Sequence, residues 1–79
     1  MELNVVVHPD IISNAEPWLA LGKFLCLENM DKRKQVGRTA ADMEKLFSLF
    51  PEAGFCLDLA HAKQVDLSMV ECVKMLRQF

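Results

Sequence analysis

The sequence of 79 residues has no tyrosine, only three glycines and three prolines, and no long apolar run. So few glycines and prolines exclude collagen-like and low-complexity chains. A membrane-spanning helix would need about 20 consecutive apolar residues, which the sequence does not contain. Met1 is followed by Glu2 and Asn4 instead of a basic segment and an apolar core, so a secretory signal peptide is not indicated. We therefore expect neither a membrane protein nor a secreted precursor.

The charge of the chain is small and slightly negative. Eleven acidic and nine basic residues give a formal net charge of -2, which provides no general attraction to nucleic acid or to anionic membranes. Hydrophobic residues make up 52% of the chain, too many for a disordered protein, and the length suits a single domain. We expect one domain over residues 1–79.

The cysteine count is three, an odd number in a chain without an evident signal peptide. Disulfide frameworks of secreted proteins usually use an even number of cysteines. We therefore expect reduced thiols and a cytoplasmic protein.

Three short apolar runs organise the chain, and each ends at a polar residue. They cover residues 3–7, 24–27 and 55–57, and they are followed by His8, Glu28 and Asp58 in turn. The runs are apolar at nearly every position and do not alternate, which indicates strands of a parallel sheet with both faces covered.

Helical patterns lie between the runs. Thr39 with Asp42 three residues later predicts the start of a helix, and Pro51 predicts its end. The apolar positions of this helix are Met43, Leu46, Phe47 and Phe50. A weaker helix is predicted around Pro17 and Trp18, with Gly22 after it.

A last helix completes the pattern. Asp66 is expected to cap it, and its apolar stripe is Val70, Val73 and Leu76. The predicted fold class is therefore α/β, a parallel β-α-β-α-β-α unit with connections long enough for crossovers.

The strand ends carry residues that can bind a metal ion. Function in parallel α/β sheets collects beyond the carboxyl ends of the strands, and here these ends hold His8, Glu28 and Asp58, with His61 three residues further on. Because side chains alternate along a strand, the terminal polar groups of all three strands can face one point. Imidazole and carboxylate groups suit Zn²⁺ or Mn²⁺. A single strand-end carboxylate more often caps a helix, but three equivalent positions favour a site.

Two further groups have competing interpretations. Lys32, Arg33, Lys34 and Arg38 form a basic loop that can bind a substrate phosphate, although a solvated loop is the commoner role. Cys26 and Cys56 stand two residues before proposed ligands, which suits soft metals. Core packing is the favoured role for both cysteines.

The motifs Val7-His8-Pro9-Asp10, Leu27-Glu28-Asn29 and Leu57-Asp58-Leu59-Ala60-His61-Ala62 resemble the xylose isomerase-like (β/α)8 barrels. This superfamily includes sugar (phosphate) isomerases and epimerases and endonuclease IV. The resemblance covers strands three to five of eight, so the chain is expected to form part of a TIM barrel.

The resemblance implies roles for individual residues. Glu28 and Asp58 would bind a divalent metal in both branches, and Glu28 would also be a catalytic acid or base in the epimerases. His8 would be a further ligand in the endonuclease-like branch. His61 would be a ligand there and a contact to a substrate hydroxyl in the epimerase branch. Independently of the resemblance, Lys32, Arg33 and Arg38 of the basic loop are the candidate substrate contacts.

Three functions follow as expectations. The first is part of a metal-dependent isomerase or epimerase of sugars or sugar phosphates, inactive alone because the resemblance places further catalytic groups on strands six to eight. The second is an endonuclease IV-like protein acting at abasic DNA, against which the negative charge argues. The third is a non-catalytic chain that self-associates through its open sheet.

Overall fold

The structure, a computed structural model, describes residues 4–79. These residues form one parallel sheet, four α-helices and two short 3-10 turns. The strands are β1 (Val5–Val7), β2 (Leu25–Glu28) and β3 (Gly54–Cys56). The helices are α1 (Ala15–Leu19), α2 (Ala40–Leu49), α3 (Leu59–Val65) and α4 (Val70–Gln78), and the 3-10 turns are Pro9–Ile11 and Gly22–Phe24. Leu3, predicted to belong to the first strand, lies outside the described residues.

The sheet has the order β1-β2-β3 and both pairs of strands are parallel. Val7 lies beside Leu27, and Glu28 lies beside Cys56. This register brings the carboxyl ends of all three strands to one edge. The predicted α/β class with a parallel sheet is confirmed.

Helices cover one face of this sheet. Val7, Leu25 and Leu27 are buried in a core that also contains the helical residues Ala40, Met43, Ala62, Cys72 and Met75. On the opposite face, Val6 is 52% exposed, and Cys26 and Cys56 are half-buried. The expectation that both faces are covered is therefore wrong for the described residues. We call the surface formed by Val6, Cys26, Gly54 and Cys56 the bare face.

Helix α2 begins and ends as predicted. The Thr39 hydroxyl accepts a hydrogen bond from the backbone N–H of Asp42, and the Asp42 carboxylate accepts one from the backbone N–H of Thr39. Such a capping box satisfies two amides that the helix leaves unpaired, and its loss costs about 1 kcal/mol. Met43 and Phe50 are buried against the core, as the periodicity predicted.

The chain after β3 differs from the prediction. It forms two helices, because α3 precedes the predicted last helix. Asp66 ends α3, and Met69 occupies the N-cap of α4 with a φ of 65°. Asp66 still contributes to the start of α4, since its carboxylate accepts a hydrogen bond from the backbone N–H of Glu71.

The predicted apolar stripe of α4 does not face the core. Val70, Val73 and Leu76 are 52%, 45% and 60% exposed, whereas Cys72 and Met75 are buried. Within residues 4–79, none of the helices combines the length and the apolar character that crossing a membrane requires.

Candidate metal centre

Three of the four predicted ligands lie together at the carboxyl edge of the sheet. Glu28 is the last residue of β2, Asp58 follows β3, and His61 lies in the first turn of α3. One ligand atom from each residue can be chosen so that all three lie within 4.8 Å of one another. Their side chains are 15%, 31% and 20% exposed, so a small ion can reach them from solvent.

His8 joins this cluster from the end of β1. Its Nε2 atom is 3.1 Å from the Oε2 atom of Glu28, and its side chain is 52% exposed. The Nδ1 atom of His61 is 3.6 Å from the same oxygen. The Glu28 carboxylate is therefore flanked by two imidazoles, whose ring centres are 6.3 Å apart. We call His8, Glu28, Asp58 and His61 the strand-end cluster.

The two carboxylate oxygens of Asp58 have different roles: one caps α3 and the other lies in the cluster. Oδ1 accepts a hydrogen bond of 3.0 Å from the backbone N–H of His61 and thereby caps α3. Oδ2 lies 3.4 Å from the Nδ1 atom of His61. The competing interpretation of Asp58 as a helix cap is thus correct, and it leaves the second oxygen available to the cluster.

The ring of His61 is held by a backbone carbonyl. Its Nδ1 atom is 2.8 Å from the carbonyl oxygen of Asn29. A carbonyl oxygen can only accept, so Nδ1 carries the hydrogen in this contact and Nε2 has the free lone pair of the neutral ring. Histidines that bind metals commonly donate their second ring N–H in this way to a carbonyl or carboxylate, so a metal ion at His61 would be bound by Nε2. The ring nitrogen that lies beside Glu28 and Asp58 in the structure is Nδ1.

Asn29 is the residue of the site to which sequence reasoning gave no role. It is fully buried. Its side-chain amide donates to the carbonyl oxygen of Asp58 at 3.0 Å, and its Oδ1 accepts from the backbone N–H of Asp58 at 2.5 Å. The available signal was an asparagine directly after a strand-end carboxylate, within an otherwise apolar stretch.

Among residues 4–79, no lysine or arginine pairs with the carboxylates of the cluster. The ion-pair contacts of Glu28 and Asp58 in this part of the chain are with His8 and His61. Two adjacent carboxylates repel each other unless a cation or a shared proton lies between them. The donor set, oxygen from carboxylates and nitrogen from imidazole, fits Zn²⁺ or Mn²⁺.

The basic loop is largely engaged in its own contacts. The guanidinium of Arg33 binds the carboxylate of Asp31 with a shortest distance of 2.8 Å, and the ammonium of Lys34 is 3.0 Å from the carboxylate of Asp10. Lys32 is exposed. Arg38 has a buried Nε atom without a hydrogen-bond partner. Of the predicted phosphate contacts, Lys32 and Arg38 form no ion pair with another described residue.

Cys56 lies beside Glu28 on the bare face. Partial burial raises the pKa of the Cys56 thiol, and the nearby carboxylates of Glu28 and Asp58 and the thiol of Cys26 add to the effect. The partial burial of the thiol agrees with the packing role that the sequence favours.

Comparisons with models of protein families, with curated proteins and with solved structures found no match for this chain. The function is therefore argued from the geometry of the strand-end cluster and from the resemblance of its motifs.

Proposed function

We propose that the strand-end cluster binds one divalent metal ion, Zn²⁺ or Mn²⁺, through Glu28, Asp58 and His61. The observation that carries this proposal is the convergence of three ligand atoms within 4.8 Å at the carboxyl edge of a parallel sheet. The absence of a lysine or arginine partner for either carboxylate among the described residues supports it. His8 would supply a fourth group, because its Nε2 atom already contacts Glu28.

We propose further that the sheet is part of a (β/α)8 barrel. In such a barrel, consecutive parallel strands are neighbours and all helices lie outside the sheet. The strand order β1-β2-β3 and the single helix-covered face support this fold. The bare face would then correspond to the barrel interior, and the strand-end cluster to the carboxyl face on which barrel enzymes place their active sites.

The activity we propose is that of a metal-dependent isomerase or epimerase of sugars or sugar phosphates. The resemblance of the three strand-end motifs supports it. The bound metal would polarise a substrate oxygen. Glu28 would then remove or return a proton on the carbon next to the carbonyl, as a general base or acid. His61 would contact a substrate hydroxyl, and Arg38, whose guanidinium has no ion-pair partner, would contact a phosphate.

A metal-binding measurement tests the core of this proposal. Calorimetry with Zn²⁺ and with Mn²⁺ on the wild-type chain should give one binding event. Glu28→Gln and Asp58→Asn keep the shape of each side chain and remove its charge, and asparagine still caps a helix. Each substitution should weaken binding at least about tenfold, because a metal ligand is lost.

A matched control uses an exposed acidic residue away from the cluster. Glu44 lies on the outer side of α2 and is exposed, so Glu44→Gln removes one negative charge without touching the site. It should leave metal affinity unchanged. If the three variants bind equally well, the metal site is not at the strand ends.

A second candidate activity is cleavage of DNA at abasic sites, as in endonuclease IV. The specific observation in its favour is the contact of His8 with Glu28 at 3.1 Å, since a carboxylate between two histidines suits a multi-metal site. The net charge of -2 argues against nucleic acid as a partner. Assays with Mn²⁺ or Zn²⁺ on keto-sugars and on abasic duplex DNA separate the two activities.

We also propose self-association and a cytoplasmic location. Exposed Val5 and Val6 on an open edge strand support the first. The second is supported by the three cysteines, all of which are free.

A further inference from the structure

We infer that Asn29 is the positioning residue of the strand-end cluster. Its side chain fixes Asp58 relative to Glu28, and its main-chain carbonyl accepts the ring hydrogen of His61. The role rests on the proposed metal function, although its test has a readout that does not need a metal.

The side chain of Asn29 makes the two hydrogen bonds to the backbone of Asp58 that a neighbouring strand would otherwise make. Hydrogen-bonded pairing ends at Glu28 and Cys56, and beyond it the amide of Asn29 pairs with both backbone groups of Asp58. The donor and the acceptor of the amide are thus both used. Asp58 is held at a fixed distance from the end of β2, although it lies outside β3.

The main chain of Asn29 controls the second ligand. Its carbonyl oxygen accepts the hydrogen of His61 Nδ1 at 2.8 Å. The neutral ring therefore carries its hydrogen on Nδ1, and Nε2 is left with the lone pair. One residue, next to Glu28 in the chain, thereby constrains both of the other proposed ligands.

The burial of Asn29 indicates that this arrangement is rigid. The residue is 0% exposed, and a buried amide that lost its partners would destabilise the fold. Water cannot readily replace the two hydrogen bonds between Asn29 and Asp58, which we call the clamp. We therefore expect both bonds to persist in the folded protein. Groups that orient metal ligands in this way typically change metal affinity 10–100-fold when they are removed.

The experiment uses Asn29→Ala and two measurements. Nitrogen-15 NMR of the histidine rings, at an alkaline pH at which imidazole is neutral, reports the tautomer of His61. The wild type should have mainly the Nδ1–H form. Alanine keeps the carbonyl of residue 29 but loses both bonds to Asp58, so His61 is no longer held against that carbonyl and the variant should give a mixture of tautomers. Titration with Zn²⁺ should give about a tenfold to hundredfold weaker affinity in the variant.

Thr39→Ala is the matched control. It removes a hydrogen bond between a side chain and the backbone at the capping box of α2, so it lowers the free energy of unfolding without touching the cluster. Its His61 tautomer and Zn²⁺ affinity should equal those of the wild type. An unchanged tautomer in a folded Asn29→Ala variant overturns the inference.

Two outcomes keep this inference separate from the metal proposal. If the wild type binds no metal but the tautomer still depends on Asn29, the metal proposal fails and the positioning role stands. If Asn29→Ala does not fold, hydrogen exchange and the His61 tautomer of the wild type test the inference instead. Slow hydrogen exchange of the Asp58 amide together with an Nδ1–H ring supports the clamp, and a rapidly exchanging amide with mixed tautomers refutes it.

Discussion

At the scale of single residues, the buried polar side chains are the ones with specific hydrogen-bond partners that the fold requires. Asn29 and Asp31 are the buried polar residues among those described, at 0% and 3% exposed, and both have partners. Asn29 binds the backbone of Asp58, and Asp31 binds the backbone and the guanidinium of Arg33. A buried polar side chain without partners would destabilise the fold, so these two bonding patterns are requirements of the core.

Asp31 leads to a prediction about pH. Its hydrogen bonds with the side chain and the backbone of Arg33 lower its pKa from 3.8 to about 2. Because the folded-state pKa lies below the unfolded value, ionised Asp31 stabilises the fold above pH 3.8. This stabilisation is lost as the pH falls through about 2.

We expect Asp31→Asn to lower the free energy of unfolding at neutral pH and to flatten its dependence on pH between 3.8 and about 2. Urea unfolding at a series of pH values measures both effects. The exposed substitution Glu44→Gln is the control and should keep the wild-type slope. Parallel curves for wild type and Asp31→Asn would contradict the prediction.

At the scale of elements, α2 and α4 show when a sequence pattern is sufficient to predict which face of a helix is buried. In α2 the capping residues and the apolar spacing point to the same face, and Met43 is fully buried as predicted. In α4 two apolar stripes compete. One contains Val70, Val73 and Leu76, and the other contains Cys72 and Met75. Periodicity alone cannot choose between them, since both have helical spacing.

Packing against α2 and α3 decides in favour of the second stripe. Met75 is 0% exposed and Val73 is 45% exposed. We expect Met75→Ala to lower the free energy of unfolding by about 2–5 kcal/mol, because it removes buried apolar atoms and leaves a cavity. Val73→Ala should change it by less than about 0.5 kcal/mol, as is usual for surface positions. Denaturant unfolding of the two variants measures the difference, and a larger effect at Val73 would mean that α4 is turned the other way.

At the scale of the whole molecule, the unusual feature is a parallel sheet with one bare face. Parallel sheets are almost always covered on both faces. Here the helices cover one face, and Val6 on the other is 52% exposed. A second copy of the chain presents the same surface, and two such surfaces can pack about a twofold axis. Burying a valine side chain contributes roughly 1.5 kcal/mol or more.

We therefore expect the wild-type chain to associate in reducing buffer at micromolar concentration. Light scattering after size exclusion should give a mass above that of the 9.0 kDa chain. Val6→Lys places a charge on the bare face and should restore the monomer, because a lysine is costly to bury there. Leu67→Lys is the control, since Leu67 is 81% exposed in the turn between α3 and α4, and it should leave association unchanged. A wild-type monomer would refute the prediction.

The sequence by itself determined the local features of this protein. The apolar runs placed the three strands, Thr39 and Pro51 bounded α2, and the polar residues after each run identified His8, Glu28 and Asp58. These features depend on neighbours in the chain, on capping, on proline and on hydrophobic spacing. His61 was found through its spacing from Asp58, and the resemblance of the motifs gave it a role.

Only the tertiary structure decided which groups meet. The role of Asn29 depends on contacts with residues 29 and 32 positions away, and no local pattern encodes a partner at that distance. The side of α4 that faces the core depends on its packing against α2 and α3. The bare face appears once all the helices have packed on one side of the sheet. Long-range packing settles these features because neighbours in the chain do not determine them.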